Sequence, residues 1–166
     1  MGLDFSIHYI MHSFIEGKEV INKEIAYWRK AYGIRDRIVG YAMNNEQDII
    51  SSDDDCDFLC RKEIIYDIVT RLVSELCTNN SQLWTDSVWS MITTKHETIL
   101  NLEKLVTLAS FFELPLEGLT EEEIKKKYGR EVTAAAHYLD ISVKDLLLPI
   151  LQPDNFEARI EIINSY

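Results

Sequence analysis

The sequence predicts a mainly α-helical, single-domain protein: a helical bundle, with a short strand or hairpin at its N-terminus and a helix-turn-helix-like C-terminal part. Three observations carry this. Apolar residues recur every three to four positions over long stretches. Residues that start and stop helices stand at the ends of those stretches. Finally, 46% of the 166 residues are apolar, enough for one core, and no Gly/Ser- or Pro-rich linker divides the chain. Residues 1–113 and 114–166 read as two parts of that one domain.

Over residues 3–11, Leu3, Phe5, Ile7, Tyr9 and Met11 share one parity, with Asp4, Ser6 and His8 on the other, which is a strand pattern. Glu16–Lys18 reads as a turn. From Glu19 the period lengthens. Ile21, Ile25, Trp28, Tyr32, Val39 and Ala42 form the stripe of an amphipathic helix reaching about Asn44. Within it Trp28 and Tyr32 are expected in the core, Tyr27, Lys30 and Arg37 in water, and Glu19 paired with Lys23 one turn on. Gly33 and Gly40 suggest close approach of a neighbour.

Residues 44–57 read as a loop carrying six acids and no base. A second helix is expected over about 61–77, striped by Ile64, Ile65, Ile68, Val69, Leu72, Val73 and Leu76. Residues 83–92 read as strand or irregular. A third helix is expected over about 95–112. Thr120 then caps a fourth, with three Glu in its first turn, three Lys in its last, and Gly129 as its end.

Two segments carry a family resemblance. "MGLD" and "EIAYWRKAYGIRDRI", followed by "DDDCDFLCRKEIIYDIVTRL", resemble a family of small bacteriophage and prophage proteins with a "MGLDMY"-like start and an "EVAYWRKANAIHKWF"-like helix. The resemblance covers residues 1–4 and 19–76. Arg35 and Arg37 stand where the family shows His and an aromatic, and Cys60 where it shows Ser at a helix cap. It implies a phage accessory setting and no particular chemistry.

Charge narrows the function. Seventeen basic residues face 28 acidic ones, a net charge of −11. Such a surface repels DNA and anionic membranes and attracts basic proteins. No run of about 18 apolar residues exists, and the acidic, His-containing start is unlike a signal peptide. Three cysteines, Cys56, Cys60 and Cys77, fit a reducing cytoplasm better than a disulfide scaffold. A host-cell cytoplasmic protein is expected.

Chemical motifs are sparse. Asp53, Asp55 and Asp57 alternate like the start of a calcium loop, but Phe58 replaces the Gly of its bend and Ile64 the bidentate Glu. Cys56 with Cys60, or His8 with His12, could each supply two zinc ligands, but no second Cys pair exists and only the distant Cys77, His96 and His137 could complete the set. No nucleophile elbow, phosphate loop, dinucleotide fingerprint or HExxH occurs. No enzyme activity, metal or cofactor is therefore expected.

The expected function is that of a non-enzymatic accessory protein that binds a basic protein partner, with Glu46, Asp48, Asp53, Asp54, Asp55 and Asp57 as the contact. A first alternative is a DNA-binding regulator. In "VTAAAHYLDISVKDLLLPIL", Ala136 sits where two helices would touch, Asp140 at the turn and Leu146 packing back. Lys125, Lys126, Lys127, Arg130 and Lys144 would meet DNA, with Val143, Leu147 and Leu148 also facing outward. A second alternative is an acidic inhibitor of a host nucleic-acid-binding defence protein.

Overall fold

A computed structural model describes residues 4–29, 36–38, 40–41, 49–52, 58–76 and 88–165. It overturns the mainly α bundle. Among the described residues the fold combines an antiparallel sheet with helices packed on it: β1 (Asp4–Ser13), β2 (Lys18–Arg29), β3 (Ile49–Ser52), β4 (Phe58–Arg61), α1 (Ile64–Leu76), α2 (Val88–Phe112), α3 (Glu121–Leu139), α4 (Val143–Leu151) and β5 (Phe156–Ser165). Residues 36–38 and 40–41 are also helical. Strand order is β2-β1-β5-β4-β3, so three long strands carry a short β3–β4 hairpin at one side.

The expected N-terminal strand is present as β1. Its residues Ile7, Tyr9 and Met11 join the core, as alternation requires. The chain then turns through Phe14–Gly17. The Gly17 N–H bonds the Ser13 carbonyl at 2.8 Å, with Gly17 at φ +66°, a conformation that costs glycine nothing.

The helix expected from Glu19 is instead β2, and two irregularities explain the misreading. Pairing with β1 shifts register between Ile7 and His8 and between Met11 and His12. At the first shift Ile25 and Ala26 are both buried in succession, so the inward parity changes from odd to even. Ile21, Ile25 and Trp28 therefore stand four and three apart on a strand, imitating a helix stripe. Glu19 and Lys23 make no helical pair. The Glu19 carboxylate accepts from Asn22 at 3.2 Å, and Lys23 reaches Asp140 at 4.0 Å. Trp28 is fully buried and Tyr27 is exposed, both as expected. Among the described residues nothing lies within 4 Å of a Cβ added at Gly40, so none of them makes the close approach expected there. Tyr32, Gly33, Val39 and Ala42 lie outside the described residues.

β5 supplies what a bundle lacks. It bonds β1 along its whole length and β4 along Phe58–Arg61. Ile160 and Ile162 are fully buried, while Glu157, Arg159 and Glu161 alternate with them on the opposite face. Cys60 belongs to β4 rather than to a helix cap.

The helices cover the inner face. α1 matches expectation, burying Ile65, Ile68, Val69 and Leu72. α2 begins at Val88, through the segment expected as strand or irregular. It packs on β2, α1 and α3. Thr120 caps α3, its hydroxyl oxygen accepting from the Glu123 N–H at 3.2 Å. Gly129 does not end α3. Only Tyr128 departs from helical backbone (φ −126°, ψ 24°), and the helix continues to Leu139. Among the described residues, nothing beyond the helix's own adjoining backbone and Gly129's chain neighbours lies within 4 Å of a Cβ added at Gly129. Gly129→Ala should therefore raise stability by about 0.5–1 kcal/mol, read as a higher urea midpoint at unchanged slope.

α3 and α4 are joined by a tight turn. Asp140 takes the left-handed conformation (φ 53°, ψ 48°), and the Ile141 N–H returns to the Ala136 carbonyl at 3.1 Å. Leu139 and Leu146 are both buried on either side of the turn.

Tyr9 gives the core a pH signature. Burial raises its hydroxyl pKa well above the ordinary 10.0, because the phenolate cannot be solvated there. A folded pKa above the unfolded one means full stability below pH 10, lost as pH rises past it. The loss approaches about 1.4 kcal/mol per pH unit. Tyr9→Phe should lose about 1 kcal/mol less than the parent between pH 10 and 11 in urea melts. Lys62 has its pKa lowered by burial, with Glu63 opposing, and works in the opposite sense just below 10.5. It is common to both proteins and cancels in the difference.

Candidate functional site

Glu46, Asp48, Asp53, Asp54, Asp55 and Asp57 all lie outside the described residues. Residues 49–52 between them are strand β3 rather than loop.

The basic set is brought partly together. Lys125, Lys126, Lys127 and Arg130 are exposed on α3 and Lys144 on α4. They share that surface with acids. Lys125 bonds Glu121 at 2.8 Å. That hydrogen bond and charge, with a smaller contribution from Lys144, hold the Glu121 carboxyl below the usual carboxylate range. The helix that would read DNA is turned inward. Leu146, Leu147 and Pro149 are buried, and α4 packs against α3 and β5. Leu147, expected to face outward, is fully buried. Lys144 is the exposed base-reading residue type on this helix, where recognition normally uses three or four side chains.

The outer face of the sheet holds a polar chain of contacts. His8 Nδ1 meets Asn22 Oδ1 at 2.8 Å, and His8 Nε2 meets Ser6 Oγ at 3.1 Å. Asn22 in turn donates to Glu19 at 3.2 Å. The Asn22 oxygen places the imidazole proton on Nδ1, leaving Nε2 to accept from the Ser6 hydroxyl. This orders a hydroxyl, a base and an orienting amide. Acyl transfer also needs donors for an oxyanion. Around Ser6 the backbone is committed to ladders on both sides, to β2 and to β5. His8 and His12 lie on this same face, four residues apart, so about 13 Å separates them, too far to share an ion. Among the described residues no group of three or more His, Cys, Asp or Glu could hold a metal ion.

An apolar groove, largely open to solvent, lies between α1, α2 and α3. Its volume is about 510 Å³, and among the described residues it is lined by Val73, Ile99, Leu102, Glu103, Val106, Thr107 and Tyr138. Its origin lies in α2, which is apolar on two sides. Leu105, Leu108, Ala109 and Phe111 point into the core. Ile99, Leu102 and Val106 form a second stripe, at spacings of three and four, and Ile99 and Val106 are 46% and 44% exposed. The Thr107 hydroxyl bonds the Glu103 carbonyl at 3.0 Å, which spends its polarity within the helix. Glu103 is left as the one charged residue of the lining among the described residues. In the sequence this helix has bounds but no assigned face. The available signal was the surplus of apolar positions in α2, more than one buried stripe requires.

Comparison with protein-family models, with curated proteins and with solved structures returned no match. No helix among the described residues is long and apolar enough to cross a membrane.

Proposed function

We propose that this chain is a non-enzymatic phage or prophage accessory protein that acts in the host cytoplasm by binding another protein through the α1–α2–α3 groove. The observation that carries this is the exposed apolar stripe of α2. Large side chains left in water along a concave surface mark a contact site. The net charge of −11 favours a basic partner. The test is affinity capture from a bacterial host lysate with the parent chain and with Val106→Asp. A partner held by the parent and lost by the variant, at unchanged melting temperature, supports the reading. A partner held equally by both overturns it.

A second reading is favoured by the charge alone: an acidic inhibitor that occupies the nucleic-acid groove of a host defence protein. Here the acids between residues 46 and 57 make the contact. Neutralising Asp53, Asp54 and Asp55 to Asn then weakens capture while Val106→Asp leaves it intact.

A further inference from the structure

We infer that the groove takes an amphipathic helix, apolar on one face and rich in Lys or Arg on its flanks, from the partner protein. This rests on the proposed reading of the groove as a protein-binding site.

The geometry selects a helix. Ile99, Leu102 and Val106 stand at i, i+3 and i+7 on α2, a seam two turns and about 10 Å long. Side chains spaced this way form the ridges and grooves into which another helix packs. Val73 of α1 and Tyr138 of α3 wall the seam on its two sides. An extended peptide would find less to bind. Strand addition needs unpaired backbone groups at a sheet edge, and these walls are helices whose backbone bonds run inside each helix. A polyproline ligand needs several aromatic rings, and among the described residues Tyr138 is the one aromatic in the lining.

Charge selects the flanks. Among the described residues, Glu103 is the one charged residue in the lining, and it sits between apolar neighbours. A Lys or Arg beside the apolar face of an incoming helix would meet it. The chain's charge of −11 draws such a helix in and repels a second copy of the same chain.

The test uses a synthetic helix of Leu and Lys, roughly 20 residues long, with leucines at i, i+3, i+4 and i+7. It is compared with a peptide of the same composition whose leucines are scattered around the helix. Binding to the full chain is read by fluorescence anisotropy. The amphipathic peptide should bind at least tenfold tighter than the scattered one. Val106→Asp should weaken it at least tenfold, and Glu103→Gln about threefold at low salt only. Ile99→Ser provides a milder lesion at the other end of the seam, should Val106→Asp fail to fold. Equal binding of the two peptides, or affinity unchanged in the groove variants, overturns the proposal. So does dimerisation of the parent that disappears in Ile99→Ser, which would give the groove to a second copy. Groove-dependent capture from lysate with no peptide binding would remove the helix while leaving the protein-binding reading in place.

Discussion

Trp28→Ala should destabilise the protein by about 3–5 kcal/mol, the usual cost of emptying a buried aromatic site. Trp28 is fully buried, on β2, and belongs to the core cluster with Ile7, Ile25 and Ala26. It lies directly across the ladder from Phe5. Alanine would remove the indole from a position bordered by two strands and by α2, which packs on β2. Strand backbones tied by ladders collapse into such a cavity only in part, so the upper half of the range is expected. Against a total stability of about 5–15 kcal/mol, that is a large share. Urea denaturation at 25 °C measures it. A loss under 1 kcal/mol would falsify the placement of Trp28 at the sheet–helix interface.

The largest effect should come from removing β5. A chain stopped after Gln152 should show no cooperative thermal transition. β5 is the element that bonds both β1 and β4. Without it the β1–β2 and β3–β4 hairpins have no ladder between them, and isolated two-stranded hairpins are marginal in water. The same deletion removes Ile160 and Ile162, both fully buried, and uncovers the inner side of α4. Ile160→Ala offers a graded version, with an expected cost of about 2–5 kcal/mol. A truncated chain that still melts cooperatively would contradict the strand order itself.

What could be read from the sequence followed the regularity of each element. α1 and the latter part of α2 were legible because Ile65, Ile68, Val69 and Leu72, and then Leu105, Leu108 and Phe111, hold a steady helical period. The turn at Asp140 was legible because two helices with a polar residue between them leave few ways to pack. β1 was legible because its parity holds from Ile7 to Met11. β2 was not, because its register shifts convert a period of two into spacings of four and three. The β-branched Val20, Ile21 and Ile25 were the counter-signal. β5 carried a clear alternation, Phe156, Ala158, Ile160 and Ile162 against Glu157, Arg159 and Glu161. Yet a lone strand means little until its partner is known, and β1 lies at the other end of the chain. The acids and bases of α3 were legible as the two ends of one helix, but the bond from Lys125 to Glu121 was not read, although they stand four apart. The groove needed three helices in place before it existed at all.

The position of β5 between β1 and β4 also sets an order of events in time. β1 leaves the ribosome long before β5 is made. At ordinary elongation rates of 5–20 residues per second the interval is on the order of ten seconds. Throughout it one edge of β1 has no neighbour, and the buried row of Ile7, Tyr9 and Met11 lies beside an open ladder. Hairpins form in microseconds, so β1 and β2 can pair at once and wait. A waiting, open-edged apolar strand is a template for other chains. Yield during synthesis should therefore depend on how crowded the nascent chains are and on whether a chaperone shields that edge, even for a chain whose finished fold is stable.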